Sequence, residues 1–235
     1  PGAIGGASVT LADVDTALVI NHTGEASIAS SILGAGTLDH RAGVTRLTGD
    51  SSLFGGEIRL SGGALYINGV ISADATATGG RLGGSGTIFG DVALGAGGTL
   101  APGNSIGVLT VGDMSFGPNS ILEIEVNAAG ASDLIRAGDV TISGGTVRVL
   151  AENGRYREAT GYRVIEANSV SGAFTDVTSN LAFLDAGLTY GPQGVSLTLT
   201  RNDLIFSAAA QTLNQAAAAR AFEALPVNHG LRDAL

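Results

Sequence analysis

The stretch that comes nearest to a catalytic pattern in this sequence is Gly103-Asn104-Ser105-Ile106-Gly107, which matches G-x-S-x-G. In enzymes that use this pattern, the serine is a nucleophile on a sharp turn between a strand and a helix. Here Pro102 precedes the pattern, and the strand-like Val108-Leu109-Thr110-Val111 follows it instead of a helix. We therefore interpret Ser105 as a turn residue.

A second serine, Ser51, stands in Gly49-Asp50-Ser51, which begins like the block of the GDSL lipases. Ser52 occupies the position of the leucine, and no Asp-x-x-His occurs near the C-terminus. A catalytic triad also needs a histidine held between nucleophile and acid. The histidines are far apart in sequence, and we expect them at the surface: His22, His40 and His229.

The sequence evidence for a metal site or an acid–base site is equally weak. Gly83-Gly84-Ser85-Gly86 starts like a calcium-binding nonapeptide, but Ile88 occupies the position of the ligand aspartate. Glu123 and Glu125 alternate with aliphatic residues, so we expect a solvated strand face, and Asp133 follows a turn that we expect it to cap. With no cysteine for thiolate ligands, we expect no catalytic, cofactor-binding or metal-binding residue and no enzyme activity.

Composition favours an all-β scaffold. Glycine makes up 37 of 235 residues, charged residues only 14%, and the net charge is −9 with no lysine. There is no collagen period, and an apolar fraction of 44% is too high for disorder. Without a basic patch or a long apolar run, we expect neither nucleic-acid binding nor lipid insertion.

Glycine pairs followed by a small and an aliphatic residue recur along the chain, which indicates stacked solenoid coils. Between them, aliphatic and polar residues alternate with a period of two, which places the aliphatic residues on one face of each strand. The glycine pairs are Gly62-Gly63, Gly97-Gly98 and Gly144-Gly145, with a related pair at Gly79-Gly80. The clearest alternations are Leu122/Ile124/Val126, Val140/Ile142, Val147/Val149 and Val195/Leu197/Leu199.

The C-terminal third has a different character. Five aromatic residues concentrate there and favour a well-packed core over a sugar-binding platform: Tyr156, Tyr162, Phe174, Phe183 and Tyr190. Residues 207–225 are rich in alanine and lack glycine and proline, so they predict a helix that stops at Pro226 and the Asn228-His229-Gly230 group. This helix either packs on the last coil or forms a linker.

An ordered series of blocks from residue 34 to 235 resembles the C-terminal passenger region of bacterial type V autotransporters. The blocks similar to the strand repeat are Leu47-Thr48-Gly49, Phe54-Gly55-Gly56 and Gly63-Ala64-Leu65. Those similar to the junction are Ser85-Gly86-Thr87-Ile88, Gly90-Asp91-Val92, the run 98–107 and Leu109-Thr110-Val111. Those similar to the autochaperone are Leu122-Glu123-Ile124, Ser132-Asp133-Leu134, Gly144-Gly145-Thr146-Val147, Tyr156, the runs 161–165, 170–174, 181–184, 188–190 and 195–201. Thr212-Leu213-Asn214-Gln215 resembles the start of the linker helix.

The resemblance implies a right-handed parallel β-helix with a C-terminal autochaperone cap and a short α-helical linker. The implied domains are passenger coils at 1–111 (strand-repeat-like at 34–70), an autochaperone at 112–202 and a linker at 203–235. The implied partner is the protein's own C-terminal translocator β-barrel. Because the chain starts at Pro1 and ends at Leu235 before any barrel, we expect a piece of a longer protein.

The implied function is that of a non-enzymatic stalk and autochaperone in a passenger secreted across the outer membrane and tethered at the cell surface. The whole protein would be an adhesin or other virulence factor that contacts host surface or matrix molecules. Two alternatives remain: a carrier for an upstream enzyme such as a protease, and a polysaccharide-cleaving β-helix. The last needs acids and bases clustered on one outer face, which so thinly charged a sequence does not favour.

Overall fold

The computed structural model describes residues 2–4 and 8–225, which form twenty-five strands and one helix. The strands are β1 (Gly2–Ile4), β2 (Ser8–Leu11), β3 (Ala17–Ile28), β4 (Ser31–Gly34), β5 (Thr37–Leu47), β6 (Asp50–Ser51), β7 (Glu57–Leu60), β8 (Ala64–Ile67), β9 (Val70–Ile71), β10 (Asp74–Ala77), β11 (Arg81–Gly84), β12 (Thr87–Ile88), β13 (Val92–Leu94), β14 (Thr99–Pro102), β15 (Val108–Val111), β16 (Met114–Phe116), β17 (Ile121–Val126), β18 (Leu134–Arg136), β19 (Asp139–Ile142), β20 (Thr146–Ala151), β21 (Ala159–Glu166), β22 (Ser169–Gly172), β23 (Asp176–Ser179), β24 (Leu184–Gly191) and β25 (Gly194–Arg201). The helix is α1 (Leu213–Glu223).

The strands stack as a parallel β-helix with three walls. Wall 1 runs from β7 through β10, β13, β16 and β19 to β22, and wall 2 from β8 through β11, β14, β17 and β20 to β23. The long strand β5 belongs to both walls, because its residues 37–40 pair with β7 and its residues 44–47 with β8. Wall 3 runs from β6 through β9, β12, β15 and β18 to β21. The fold class expected from the sequence is confirmed.

The coils lengthen towards the C-terminus. Along wall 1, Ala75 pairs with Val92, Val92 with Met114, Met114 with Val140, and Val140 with Val170. The spacing between coils therefore grows from 17 to 22, 26 and 30 residues. This drift explains why the glycine pairs of the sequence recur without a fixed period. The stack continues through β13 and β16, across the expected boundary at 111/112.

The core is a set of aliphatic columns between the walls. In wall 2, Leu65, Leu82, Leu100, Leu122 and Val147 pair in register and are all fully buried. Successive strands in such a column lie about 4.8 Å apart, so each side chain contacts its equivalent on the neighbouring coil. The inward direction predicted from the period-two alternation is confirmed throughout β17, β19, β20 and β25.

Glycine is required at the corners that lead into wall 2. Gly63 has a φ of 72°, and a Cβ there would lie 2.4 Å from the carbonyl oxygen of Gly43 on the preceding coil. Gly80, one coil later, has a φ of 70°. A side chain at these corners would therefore force neighbouring coils apart as well as strain the backbone.

The parallel stack ends in an antiparallel hairpin. After β23 the chain forms β24 and β25, which pair antiparallel with each other, and β25 pairs antiparallel with β21. The hairpin turn also covers β22, because the carbonyl oxygen of Pro192 accepts the N–H of Val170 at 2.9 Å. The hairpin and the last two coils, residues 139–201, are called the cap below.

Helix α1 is shorter than the sequence predicts. It starts after Thr212, whose hydroxyl accepts the N–H of Gln215 while the Gln215 side chain accepts the N–H of Thr212. This capping box fixes the start at Leu213, six residues later than the expected residue 207. Residues 207–211 are irregular, and Ser207 is held instead by the carboxylate of Glu223. The predicted stop signals, 226 and 228–230, lie outside the described residues.

Candidate functional site

The two candidate nucleophilic serines occupy structural positions. Ser105 lies exposed in the bend between β14 and β15, and no histidine or carboxylate of the described residues bonds its hydroxyl. Ser51 is buried, and its hydroxyl oxygen accepts the N–H of Ile32 at 2.9 Å. Ser51 therefore joins β6 of wall 3 to β4 of the preceding coil.

His40 contradicts the expectation of surface histidines. It is fully buried, with Nδ1 2.9 Å from the carbonyl oxygen of Gly62 and Nε2 3.1 Å from the Thr45 hydroxyl. Because a carbonyl only accepts, Nδ1 carries the proton and Nε2 accepts from Thr45 when the ring is neutral. Burial lowers the pKa of His40.

The second histidine, His22, is half-buried at the same corner of the coils. Its Nε2 also lies 3.1 Å from the Thr45 hydroxyl, so Thr45 bridges the two rings. His229 lies outside the described residues. The sequence expectation failed for His40 because it treated each histidine alone, whereas the next coil places the Gly62 carbonyl against the ring.

Glu123 is buried rather than solvated, which corrects the expectation for that strand face. Its carboxylate forms ion pairs with Arg81 and with Arg148, the latter at 3.3 Å. Between Tyr66 and Glu123 in register stand only the small residues Gly83 and Ala101. The long Arg81 side chain crosses this gap, so Glu123 is enclosed by charge of opposite sign.

Asp133 is buried and, contrary to the sequence prediction, does not cap the turn before it, because Asn127 Oδ1 accepts the N–H groups of Ala129 and Ala131 in that turn. One carboxylate oxygen accepts the N–H of Gly107 at 2.8 Å, and the other accepts the N–H of Glu125 at 2.7 Å. Burial raises the pKa of Asp133 to about 7, and the two backbone donors only partly oppose this effect. The carboxylate therefore ties β17 to the junction loop before β15.

An aspartate ladder, consisting of Asp74, Asp91, Asp113 and Asp139, follows one corner of the β-helix. Each aspartate begins a wall 1 strand or directly precedes one, and its Oδ1 accepts a hydrogen bond from the next coil at 2.7–2.9 Å. The sequence argument missed this ladder. Its signal was a small residue before each aspartate: Ala73-Asp74, Gly90-Asp91, Gly112-Asp113 and Gly138-Asp139.

No metal centre arises from these carboxylates. Among the described residues, no group of three or more histidine, cysteine, aspartate or glutamate side chains could hold a metal ion. Each ladder carboxylate accepts a hydrogen bond from the coil that follows it. The polar groups of the coils are thus used to join one coil to the next.

Three buried aromatic residues, Tyr156, Tyr162 and Phe174, form the core of the cap. The Phe174 ring meets that of Phe116 edge-on, with centroids 4.9 Å apart, and the Phe174 N–H donates to the Tyr190 hydroxyl at 3.0 Å. The Tyr162 hydroxyl donates to the carbonyl of Asn127 at 2.7 Å. Tyr156, Tyr162 and Phe174 thus belong to the core that the sequence predicts, whereas Tyr190 is 36% exposed and Phe183 is half-buried beside a groove.

A groove of about 410 Å³ lies beside the cap, between residues 153–156, 180–184 and 201–206. Phe183 and Phe206 form its apolar side, and Phe206 also contacts Phe222 of α1 with ring centroids 5.1 Å apart. Arg155 and Arg201 line the groove. Every described arginine up to Arg148 forms an ion pair, and no described arginine after it does so.

Within the described part of the chain, no helix combines the length and the apolar character needed to cross a membrane. Helix α1 has eleven residues, and none of them is buried.

Comparison with known proteins finds two relatives, one named as an extracellular serine protease and one as an autotransporter adhesin. The chain is 32% identical over 200 residues to the "Extracellular serine protease" of Serratia marcescens, which covers 78% of this chain and 19% of the relative. It is 32% identical over 184 residues to the "Adhesin BmaC autotransporter" of Brucella suis biovar 1, which covers 69% of this chain and 5% of the relative. The chain thus spans at most a fifth of either relative's length. No family model matches it.

Proposed function

Because this chain is a region of an autotransporter passenger, located at the cell surface or outside the cell and tethered to the outer membrane, we propose that it acts as the stalk and autochaperone segment of that passenger. In this role residues 112–202 fold first and provide the edge on which the coils of residues 1–111 assemble. Residues 203–235 connect the segment to the translocator barrel of the full protein. The segment itself carries no enzyme activity, binds no cofactor and contacts no nucleic acid.

The observation that carries this proposal is the closure of the stack at one end. Strand β17 and four strands of the cap, β20, β21, β24 and β25, have six or eight residues, whereas the strands from β6 to β16 have two to four. The antiparallel hairpin of β24 and β25 pairs residues that lie 3 positions apart (Gly191 with Gly194) to 17 positions apart (Leu184 with Arg201), whereas successive coils pair residues 17–30 positions apart, so the hairpin forms without the preceding coils. Local contacts cost less loop-closure entropy than distant ones.

The dependence of each coil on its neighbours makes the cap a candidate folding nucleus. A coil of two-residue to four-residue strands is stable only against its neighbours, and folding spreads from the segment that is stable alone. The cap combines three strands of eight residues, β21, β24 and β25, with the Phe116–Phe174 contact and the Tyr162 hydrogen bond. It is therefore the best-supported folding nucleus.

Hydrogen exchange of the whole chain in increasing urea tests the proposal. We expect amides of β17–β25 to remain protected at urea concentrations that expose β7–β12. Deletion of residues 130–201 should abolish cooperative refolding of the remaining coils. Equal loss of protection along the chain, or an unchanged transition after the deletion, would refute the autochaperone role.

A second candidate function is that of a carrier for an enzyme in another part of the full protein. The relative named as a protease favours it, and the relative named as an adhesin favours a binding passenger. Both are compatible with a non-enzymatic segment here, since Ser51 joins two strands and Ser105 lies in an exposed bend. Expression of the full reading frame with Ser51→Ala and Ser105→Ala should leave any peptidase activity unchanged. Loss of activity in Ser105→Ala would place the chemistry in this segment.

A further inference from the structure

The chain contains two Asn-Gly dipeptides, Asn68-Gly69 and Asn153-Gly154. Asn-Gly is the dipeptide most prone to deamidation, because the glycine nitrogen meets no Cβ when it approaches the asparagine side chain. Reaction needs a free asparagine amide, a glycine N–H without an acceptor and a backbone that can close a five-membered ring. The two dipeptides share their chemistry, so any difference between them comes from the fold.

The first dipeptide is held by neighbouring coils. Asn68 Oδ1 accepts the Ser85 N–H at 3.2 Å and an amide proton of Asn104 at 2.7 Å. The N–H of Gly69 donates to the carbonyl oxygen of Leu47 at 3.0 Å. Ring closure at Asn68 would have to break these bonds, and so requires local opening of the coil stack.

The second dipeptide is free. Asn153 and Gly154 are both exposed in the loop between β20 and β21. Among the described residues, no group accepts the N–H of Gly154 or bonds the Asn153 side chain. Bonds hold the loop on either side of the dipeptide: the N–H of Glu152 donates to Val126, the Tyr156 hydroxyl donates to Glu152, and the carbonyl of Glu158 accepts from Arg201.

We propose that Asn153 is a site of spontaneous deamidation in the folded protein and that Asn68 is protected from it. The Gly154 nitrogen loses its proton and attacks Asn153 Cγ, a new C–N bond forms, and the bond to the side-chain nitrogen breaks to release ammonia. One water then opens the succinimide at either carbonyl and leaves aspartate or isoaspartate. The net change consumes one water and releases one ammonia, with no oxidation or reduction.

The reaction changes the charge of the groove beside the cap. Asn153, Arg155 and Arg201 line this groove, and the described residues that line it include no carboxylate. Glu152 and Asp203 flank it in sequence. Deamidation therefore puts a new negative charge next to two arginines that form no ion pair in the described structure. The modified chain is more acidic by one charge, and its groove loses part of its positive potential.

Mass spectrometry of the aged native chain tests the proposal. Cleavage after arginine separates the two sites, with Asn153 in peptide 149–155 and Asn68 in peptide 60–81. After incubation at mildly alkaline pH, we expect the gain of mass from NH₂ to OH to appear at least about tenfold faster in peptide 149–155 than in peptide 60–81. A tenfold difference corresponds to about 1.4 kcal/mol of local opening, a modest cost for a packed coil.

The same incubation in denaturant is the matched control, because it removes the fold and leaves the sequence unchanged. There we expect both peptides to deamidate at similar rates. The variant Asn153→Gln should abolish the new acidic band on isoelectric focusing of the native chain. Equal rates in the native chain, or a native chain in which only peptide 60–81 changes, would overturn the proposal.

Discussion

The Oδ1 atom of Asp91 accepts the backbone N–H of Asp113 at 2.8 Å, one full coil further along the chain. Asp91 in turn donates its own N–H to Oδ1 of Asp74 at 2.9 Å. Each aspartate thus acts as donor to one coil and acceptor to the next. Like charges stacked at the coil spacing repel one another, so this arrangement persists only because each carboxylate accepts a hydrogen bond.

The ladder predicts a difference between two substitutions at its centre. Asp91→Ala removes the acceptor for the Asp113 N–H, and we expect a loss of about 1 kcal/mol in the free energy of unfolding. Asp91→Asn keeps an acceptor oxygen and removes one charge from the column, so it should lose less than half as much. Urea denaturation followed by circular dichroism measures both.

Higher salt separates the contribution of the hydrogen bond from that of the repulsion between the aspartate charges. Screening weakens repulsion between exposed carboxylates but leaves the hydrogen bond in place. The gap between the wild-type chain and Asp91→Asn should therefore change with sodium chloride, whereas the gap between Asp91→Asn and Asp91→Ala should not. If both variants match the wild type at every salt concentration, the ladder has no part in stability.

His40 predicts a loss of stability on acidification. Burial lowers its pKa, so the folded chain binds this proton less tightly than the unfolded chain does. The contribution of His40 to the free energy of unfolding is fully present above about pH 6.5. It is lost as the pH drops below that value towards the pKa of the folded state. Besides Gly62 and Thr45, the groups that act on this ring are His22 and Asp39.

Substitution of each histidine locates the effect. His40→Gln should flatten the fall in unfolding free energy below about pH 6.5, at the cost of lower stability at neutral pH. His22→Gln is the matched control, because this half-buried ring shares Thr45 without being enclosed. Denaturation midpoints from pH 5 to 8 show which substitution removes the loss of stability on acidification. A larger flattening in His22→Gln than in His40→Gln would contradict the assignment of this loss to His40.

Asp133 predicts the opposite pH dependence. Its pKa rises from 3.8 to about 7 on folding, so the folded chain holds this proton more tightly than the unfolded chain. Its contribution to stability is complete below pH 3.8 and declines as the pH rises through about 7. A shift of this size corresponds to roughly 4 kcal/mol. Measuring the unfolding free energies of Asp133→Asn and of the wild type from pH 4 to 8 isolates the contribution of Asp133.

Asp133→Asn keeps one acceptor oxygen and removes the titration. Its side-chain nitrogen faces one of the two backbone donors, so the variant should be less stable than the wild type at pH 4. The difference should shrink or reverse by pH 8, because only the wild type loses stability on deprotonation. A constant difference across this range would mean that the carboxylate keeps an ordinary pKa in the fold.

The aliphatic columns could be predicted from the sequence because they depend on local alternation alone. Leu122, Ile124 and Val126 are inward wherever the strand lies in the coil. The polar positions depend on which coil lies next to which, and the drift from 17 to 30 residues per coil hides that register from the sequence. His40 and Glu123 were misassigned for this reason, since their partners lie up to 42 residues away.

For the helix, too, the sequence predicts that the element exists but not where it begins. Composition over residues 207–225 predicts a helix but cannot fix its start, which the capping box at Thr212 determines. The exposed bend at Ser105 agrees with the sequence because Pro102 and the strand that follows are both local signals. Asp133 was wrongly assigned to turn capping on the same basis, because its burial, and with it the raised pKa, comes from packing between coils.

A matched pair of core phenylalanines tests where folding begins. Phe174 lies in the cap and Phe54 in an early coil, and both are buried. Phe174→Ala and Phe54→Ala should each lower the free energy of unfolding by about 3 kcal/mol. If the cap forms first, Phe174→Ala slows refolding by about tenfold or more, because its contacts already exist in the transition state.

Phe54→Ala should instead leave the refolding rate within about twofold of the wild type and accelerate unfolding, because its contacts form after the transition state. The chain has no tryptophan, so stopped-flow tyrosine fluorescence or far-ultraviolet circular dichroism is the readout. Tyrosines Tyr156, Tyr162 and Tyr190 report on the cap, and circular dichroism reports on all coils. Equal slowing by the two substitutions would place the nucleus across the whole stack, and slowing by Phe54→Ala alone would place it in the early coils.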